Sequence, residues 1–283
     1  SKSASKTLAN IRICDAVMLV VRLFASEEIP HIHNRIDPAA DLEELCLEFI
    51  FSDLEMVTNK IERLNKEMKA GKKPELVREL ELMENLKKVL EENRFISEIE
   101  LTDEQEHSLR CYRFLTQKPL LLVGNCSDDQ FKNESDPVVA AFKQACQQRN
   151  WSPMLISAAT EMEISALSPE EEAIFLEEYG IKESGRNRLI SEAYRLLNYI
   201  SFLTVGEDEV RAWPLQRGTN AQKSAGKIHS DIERGFIRAE VVAYKDFVAK
   251  GTMAAVKAAG LARLEGKEYI VEDGDIINFR FNV

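Results

Sequence analysis

The sequence has few residues of the types that build disulfide frameworks, metal centres or membrane spans. Its 283 residues include five cysteines, none in a C-x-x-C pair, and only four histidines. An odd number of scattered cysteines argues against disulfides and zinc, and favours reduced thiols in a cytosolic protein. No run of eighteen apolar residues occurs, and the opening SKSASKTLAN is polar. We therefore expect neither a membrane span nor a signal peptide.

The net charge of −11 is unevenly distributed. Residues 199–283 contain 12 basic and 12 acidic residues, whereas residues 1–198 contain 25 basic and 36 acidic ones. The excess of acid therefore lies entirely in the first part of the chain. We expect nucleic-acid contacts, where there are any, in the neutral C-terminal part.

Three short apolar runs predict a buried parallel sheet. They are residues 16–24, Leu120–Val123 and Met154–Ile156, and the last two flank a predicted helix over 137–148. A strand, helix and strand in succession imply a right-handed crossover, which places Asn125 and Ser157 at the same edge of the sheet. Open α/β sheets bind ligands at that edge. The fold class predicted for this part is therefore α/β.

The segment LLLVGNCSDDQF (120–131) ends its apolar run at Gly124-Asn125 and then becomes polar. Asn125 and Asp128 could present an amide and a carboxylate to the edge of a nucleobase. An equally good interpretation is structural: Asn125 caps the turn and Asp128 caps the next helix. Ser157-Ala158-Ala159 ends the following strand, and backbone N–H groups in such a small-residue turn can approach a base closely.

A pair of amphipathic helices is predicted between the first two strands. Asp41 is the expected N-cap of the first helix, AGKKP (70–74) ends it, and a second leucine stripe follows from Leu76. Thr102 with Gln105 forms a capping box that begins a further helix reaching about Arg113. His31 and His33 alternate in the preceding loop, but no cysteine or helix-spaced carboxylate accompanies them, so a structural role is favoured over a metal site.

Short alternating strands over 210–215, 236–243 and 275–281 predict a separate small α+β domain at the C-terminus. Lys227, Arg234 and Arg238 lie close in sequence to Phe236, a combination suited to phosphate contact and base stacking in RNA. The alternative is that the alternating residues Phe236, Ile237 and Val241 belong to the core and that the arginines are simply solvated.

Several long segments resemble the Obg-like ATPase family, called YchF in bacteria, over nearly the whole chain. KIHSDIERGFIRAEVVAYKDF (227–247) and RLEGKEYIVEDGDIINFRFNV (263–283) resemble its C-terminal TGS domain. LANIRICDAVMLVVRLF (8–24) and HIHNRIDPAADLE (31–43) resemble the segment after switch II. Two further segments resemble sequences of the family, GRNRLISEAY (185–194) and VRAW (210–213). Residues 41–113 match the family's coiled-coil insertion.

The resemblance implies a partial P-loop NTPase domain over 1–40 and 114–198, a helical insertion over 41–113 and a TGS domain over 199–283. It implies a protein that binds and hydrolyses ATP, or also GTP, with Mg²⁺, and that regulates the ribosome and translation or a stress response. The implied partner is the ribosome or RNA, and the implied protein is cytoplasmic and a monomer by default. The family's Asn-x-x-Glu base-recognition segment matches residues 125–128, with Asp128 in place of Glu. The implied base-binding residues are Asn125, Cys126, Asp128, Ser157 and Ala158.

One family motif does not occur in these residues. No G-x-x-x-x-G-K-[ST] is present, so the phosphate-binding amides, the phosphate lysine and the Mg²⁺ hydroxyl are not provided. We expect this polypeptide neither to bind nucleotide tightly nor to hydrolyse it, and we assign it no catalytic or metal residue. The alternative function is a non-enzymatic module that binds RNA, the ribosome or a protein through the helical pair and the C-terminal domain.

Overall fold

The computed structural model describes residues 2–71, 73–133, 135–178, 180–206 and 209–282. The chain forms two compact units, Ser1–Ala193 and Tyr194–Val283. Within the described ranges, no helix combines the length and apolar character needed to span a membrane.

The first unit is built on a three-stranded parallel sheet in the order β1-β2-β3. The strands are β1 (Val17–Arg22), β2 (Leu120–Asn125) and β3 (Pro153–Ile156). The helices are α1 (Lys2–Arg12), α2 (Pro38–Ala70), α3 (Pro74–Glu91), α4 (Asp103–Leu109), α5 (Asp128–Lys132), α6 (Pro137–Gln148), α7 (Ala158–Ser165), α8 (Pro169–Glu178) and α9 (Gly185–Leu196). Helix α9 continues past the boundary between the units.

Strand β1 is an edge strand of this sheet among the described residues, and only one of its faces is buried. Val17, Leu19 and Val21 point into the core, whereas Met18 and Val20 are 45% and 54% exposed. The expectation of a fully buried strand was therefore wrong for β1. The apolar run still matches the parallel pairing with β2, in which Val17 lies opposite Leu120.

Helices α2 and α3 are joined by three residues and pack against each other around a shared apolar stripe. The predicted N-cap was wrong: the helix begins at Pro38, and the Asp37 side chain accepts a hydrogen bond from Ala40 N at 3.1 Å. Proline is well suited to the first helical turn, where its missing N–H has no intrahelical partner. Asp41 lies one turn further on. Helix α4 begins at the predicted capping box but ends at Leu109 rather than near Arg113.

A buried carboxylate ties three elements of the first unit together. Asp53 on α2 is completely buried, and its Oδ1 lies 2.7 Å from Arg12 Nη1 on α1. The same carboxylate accepts hydrogen bonds from the backbone N–H groups of Leu115 and Thr116 and from the Thr116 hydroxyl, at 2.8–3.1 Å. These contacts compensate the cost of burying the charge and fix the turn that leads into β2.

The second unit contains a five-stranded mixed sheet in the order β5-β4-β8-β6-β7. Its strands are β4 (Tyr199–Val205), β5 (Val210–Gln216), β6 (Phe236–Ala243), β7 (Arg263–Glu265) and β8 (Asp275–Phe281). Its helices are α10 (Ala221–Gly226), α11 (Ser230–Arg234), α12 (Tyr244–Lys250) and α13 (Met253–Ala258). Strands β4 and β8 pair in parallel, and the other described pairs of this sheet are antiparallel.

The amphipathic pattern of residues 186–200 predicts a helix as far as Ile200, and strand β4 was therefore missed. Helix α9 instead ends at Leu196, and Asn198 adopts a left-handed φ of 53°. Asparagine tolerates this conformation, which ends a helix. The chain then enters β4, whose Phe202 pairs with Trp213 of β5.

Candidate functional site

The carboxyl edge of the first sheet brings together the polar residues that follow β2 and β3. Strand β2 runs two residues further than predicted, through Gly124 and Asn125, and Asn125 lies opposite Ile156. A side chain at Gly124 would be 2.8 Å from carbon atoms of both Leu23 and Phe142. Glycine is therefore required here by close packing within the strand, not by a turn.

Asn125 connects the ends of the two strands directly. Its side-chain Oδ1 accepts a hydrogen bond from Ala158 N at 3.1 Å, and the neighbouring Cys126 N donates to Ile156 O at 2.9 Å. The prediction that Asn125 and Ser157 lie at the same sheet edge is confirmed. Because Oδ1 is occupied, the Nδ2 amide is the group that Asn125 can offer to a ligand as a donor.

Asp128 stands beside this connection and is held by two hydroxyl groups. Its Oδ1 accepts hydrogen bonds from Ser157 Oγ, at 2.5 Å, and from Thr160 Oγ1. These two donors favour the ionised form and hold the pKa of Asp128 below its usual value. The side chain is otherwise exposed, so Oδ2 remains open as an acceptor.

The proposed capping role of Asp128 is wrong. The N-cap of α5 is Ser127, which forms a capping box with Gln130. Asp128 is the first residue of that helix, where a negative charge interacts favourably with the helix dipole. Similarly, Ala158 is the first residue of α7 rather than part of an open loop, and Ser157 caps that helix by accepting from Thr160 N.

Cys126 does not offer its side chain to a ligand, in contrast to the expectation from the sequence. It is 2% exposed, and its thiol donates to Ile156 O at 3.3 Å. Burial raises its pKa to about 11, so the thiol is protonated near neutral pH. The contribution of Cys126 to this edge is its backbone N–H.

Glu161 is a residue of this region that the sequence analysis missed. Its carboxylate accepts hydrogen bonds from Gly185 N at 2.7 Å and Arg186 N at 3.0 Å, and thereby caps α9. A Cβ at Gly185 would lie 2.7 Å from Glu161 Oε1. The amphipathic pattern of residues 186–200 predicts a helix there, but its cap comes from a residue distant in sequence, for which no local pattern exists.

A cavity of about 20 Å³ opens between Asp128, Phe131, Ser157 and Arg188. This volume accommodates about one water molecule and not a purine. A base bound at this edge would therefore lie on its outer side, against the exposed faces of Asn125 and Asp128.

The two loop histidines each contact one carboxylate of α2, which the sequence analysis did not anticipate. His31 Nε2 lies 3.0 Å from Asp41 Oδ2, and His33 Nε2 lies 2.9 Å from Glu44 Oε2. Across the described part of the chain, no group of three or more His, Cys, Asp or Glu residues could hold a metal ion. The histidines therefore act as contacts between the loop and the helix.

The four residues predicted to contact RNA are not equally available in the second unit. Phe236 is 5% exposed and packs edge-on against Phe279, with ring centroids 6.0 Å apart. It belongs to the core with Val241, as the alternative interpretation had it, and the prediction that it stacks on a base was wrong. Ile237, which that alternative also placed in the core, is 54% exposed. Arg234 is paired with Asp231, whereas Lys227 at the end of α10 and Arg238 on β6 are exposed.

Several known proteins are similar to this chain in sequence. Residues 199–282 match the family model YchF-GTPase_C, described as a protein of unknown function (DUF933). The chain is 44% identical over 280 residues to Ribosome-binding ATPase YchF of Bacillus subtilis, covering 99% of this chain and 76% of that protein. It is 36% identical to Obg-like ATPase 1 of Gallus gallus, covering 97% of this chain and 70% of that protein.

A solved structure shows the same fold. The structure of the Schizosaccharomyces pombe YchF GTPase superposes with a TM-score of 0.85 at 29% sequence identity, and the match covers 96% of this chain and 74% of that one. The α/β architecture with its parallel sheet is therefore shared with that protein.

Proposed function

Because the chain belongs to the YchF family of Obg-like ATPases, we propose that its first unit recognises the base of ATP, and also of GTP, in a ribosome-associated nucleotide hydrolase. The observation that carries this proposal is the convergence of Asn125, Asp128 and the Ser157-Ala158 turn at one sheet edge. Ligands of open α/β sheets bind at such an edge. A non-enzymatic binding module is not favoured, since the relatives are named ATPases.

The polar groups at this edge match atoms that purines present. The free Nδ2 of Asn125 can donate to N7, which adenine and guanine share, so this contact does not discriminate between them. The open oxygen of Asp128 can accept a hydrogen bond from an exocyclic amino group, which is N6 beside N7 in adenine and N2 on the opposite edge in guanine. Asp128 is one methylene shorter than glutamate, and its other oxygen is held by two hydroxyls. The position of its open oxygen is therefore fixed. Acceptance of both ATP and GTP is therefore supported by the N7 contact of Asn125, which the two bases share.

Family membership implies Mg²⁺ and a phosphate site, but the residues present do not fit either group. The 283 residues contain no G-x-x-x-x-G-K-[ST], and no described cluster of three acidic, histidine or cysteine side chains could hold the metal. Phosphoryl transfer depends on positioning and charge stabilisation by those groups. We therefore assign no hydrolytic step to these residues and expect this polypeptide alone to bind nucleotide weakly and not to hydrolyse it.

The domain assignment follows the family. Residues 1–40 and 114–198 belong to the nucleotide-binding domain, 41–113 to a coiled-coil hairpin made by α2 and α3, and 199–283 to a TGS domain. The apolar stripe between α2 and α3, with Leu64 and Leu86 completely buried, supports the hairpin.

Association with the ribosome is proposed from the names of the relatives and from two exposed cationic side chains of the second unit. Lys227 and Arg238 are exposed, and both can contact RNA phosphates, whereas Phe236 cannot stack. We also propose that the protein is cytoplasmic and monomeric.

Photoaffinity labelling with 8-azido-ATP tests the base site, because covalent capture records weak binding. We expect labelled peptides from 125–132 and 157–161, competition by both ATP and GTP, and loss of labelling in Asn125→Ala. Asn65→Ala on the exposed side of α2 is the matched control and should label normally. Labelling that is confined to other peptides, or unchanged by Asn125→Ala, would contradict the proposal.

A further inference from the structure

A second cleft lies at the opposite end of the first sheet from the base-recognition edge. It has a volume of about 550 Å³ and is bordered by residues that immediately precede β1 and β2, including Asp15 and Pro119. The length of the six-residue strand β2 separates it from Asn125 by roughly 17–20 Å. The cleft has the size of an ordinary small-molecule site and does not overlap the edge described above.

Cations predominate in this cleft, although the chain as a whole is acidic. Four cationic side chains, Arg12, Arg110, Arg113 and Lys118, face only two carboxylates, Asp15 and Glu106. Arg12 is already engaged by Asp53. An acidic protein with a net charge of −11 that concentrates cations in one concave site creates a local field that attracts anions.

The cations are close enough to affect one another. Burial lowers the pKa of Lys118, and the neighbouring Arg113 and Arg12 lower it further, against the opposing influence of Cys14 and Asp15. Arg113 adopts a left-handed φ of 51°, which is unusual for a residue with a side chain, and its carbonyl accepts from Arg12 Nη1 at 3.2 Å. Backbone strain of this kind is concentrated at binding sites.

Lys118, which lines the cleft, is held in place by a backbone contact. Its Nζ donates to the carbonyl oxygen of Cys14 at 2.5 Å. An ammonium group has three donors, so this contact holds the side chain in place and leaves two donors for a ligand.

The remaining wall of the cleft is apolar. Ile13 is 67% exposed, and Ile99 and Leu101 are half-buried beside it. A bare inorganic anion would leave this wall in contact with water, whereas a molecule with a phosphate and an apolar body would satisfy both sides. The geometry differs from an extended nucleic-acid surface, since the cations line one open cleft and not a stripe.

We propose that this cleft binds a small organic phosphate, with the phosphate at Arg113 and Lys118 and the organic part against Ile13. Arg113 provides a planar fork of N–H donors that matches phosphate oxygens, and Lys118 supplies a point charge. Arg110, exposed at the end of α4, adds a peripheral charge. An anion in the cleft relieves the repulsion of Lys118 by Arg113 and Arg12.

Phenyl phosphate is the probe that tests this site, with inorganic phosphate and phenol as its two halves. Amide NMR shifts of the ¹⁵N-labelled chain should occur in 12–15 and 109–119, and phenyl phosphate should bind more tightly than either half. Arg113→Gln combined with Lys118→Gln should weaken binding at least about tenfold. Lys66→Gln combined with Lys69→Gln, two exposed cations of α2, should leave it unchanged.

Arg110→Gln is the milder variant, since its side chain lies at the surface, and it should weaken binding severalfold while leaving the spectrum of the free protein intact. The proposal is overturned if shifts are absent from the cleft, if phenol binds as well as phenyl phosphate, or if inorganic phosphate binds equally tightly. Binding of an RNA hexanucleotide without binding of phenyl phosphate would also overturn it and indicate a nucleic-acid surface.

Discussion

The side-chain oxygen of Asn125 accepts a hydrogen bond from the backbone N–H of Ala158 at 3.1 Å. This contact joins the ends of β2 and β3 and leaves the Asn125 amide nitrogen as the donor for a ligand. The substitution Asn125→Asp would leave only acceptors at this position, and these repel purine N7. The side chain therefore supports both the fold of the edge and its proposed chemistry.

Thr160→Val should raise the pKa of Asp128 towards its usual value, because one of the two hydroxyl donors is removed. The folded-state pKa is depressed, so the contribution of Asp128 to stability is present above about pH 4 and is lost as the pH falls through the folded value. A carboxyl ¹³C NMR titration measures the shift. Thr58→Val on α2 is the control and should leave the Asp128 titration unchanged, as should any variant outside this edge.

Gly124→Ala should destabilise the first unit by about 1–3 kcal/mol, because the added carbon would lie 2.8–2.9 Å from Leu23, Phe142 and Leu155. Urea denaturation followed by circular dichroism measures the loss. Gly71→Ala is the matched control, since nothing lies within 4 Å of its Cβ position. Equal stability of both variants would show that β2 does not pack as described.

Asp53→Ala should cost about 3–5 kcal/mol, because it leaves the guanidinium of Arg12 without its carboxylate partner and two backbone N–H groups without acceptors. Asp53→Asn keeps an acceptor in place and should cost less. Chemical denaturation of the two variants and the parent protein gives the order of their free energies of unfolding. A loss below about 1 kcal/mol for Asp53→Ala would be inconsistent with a buried network.

Cysteine labelling should separate exposed from buried thiols. Cys14 and Cys111 are exposed, whereas burial raises the pKa to about 11 for Cys46 and Cys126 and to about 12 for Cys146. Near pH 8, a thiol-reactive disulfide reagent should modify two thiols rapidly and the other three only in denaturant, since the thiolate is the reactive form. Rapid modification of Cys126 in the native protein would mean that its side chain faces the ligand edge after all.

Sequence patterns located the strands of the first sheet because parallel strands read as continuous apolar runs, and the crossover rule then placed Asn125 beside Ser157. They could not show that Cys126 points inwards, since a residue just after a strand has no periodicity to orient it. The prediction that Phe236 stacks on a base was wrong for a similar reason. A register shift between Phe236 and Arg238 breaks the alternation, so the two side chains do not share a face.

Contacts between residues distant in sequence were also beyond prediction. Glu161 caps α9 from 24 residues away, and Asp53 accepts from Thr116 across 63 residues. Neither partner lies within the few residues that capping patterns cover. Strand β4 was missed because YISFL continues the apolar spacing of α9, and only the left-handed Asn198 separates the two elements.

Titration of the ¹⁵N-labelled chain with ATP, followed by amide NMR, tests the base-recognition edge most directly. We expect weak, millimolar binding, with shifts concentrated in residues 125–128 and 157–161. Asn125→Ala should abolish these shifts, and GTP should reproduce them. Micromolar affinity for ATP, or shifts that avoid this edge and persist in Asn125→Ala, would contradict this expectation.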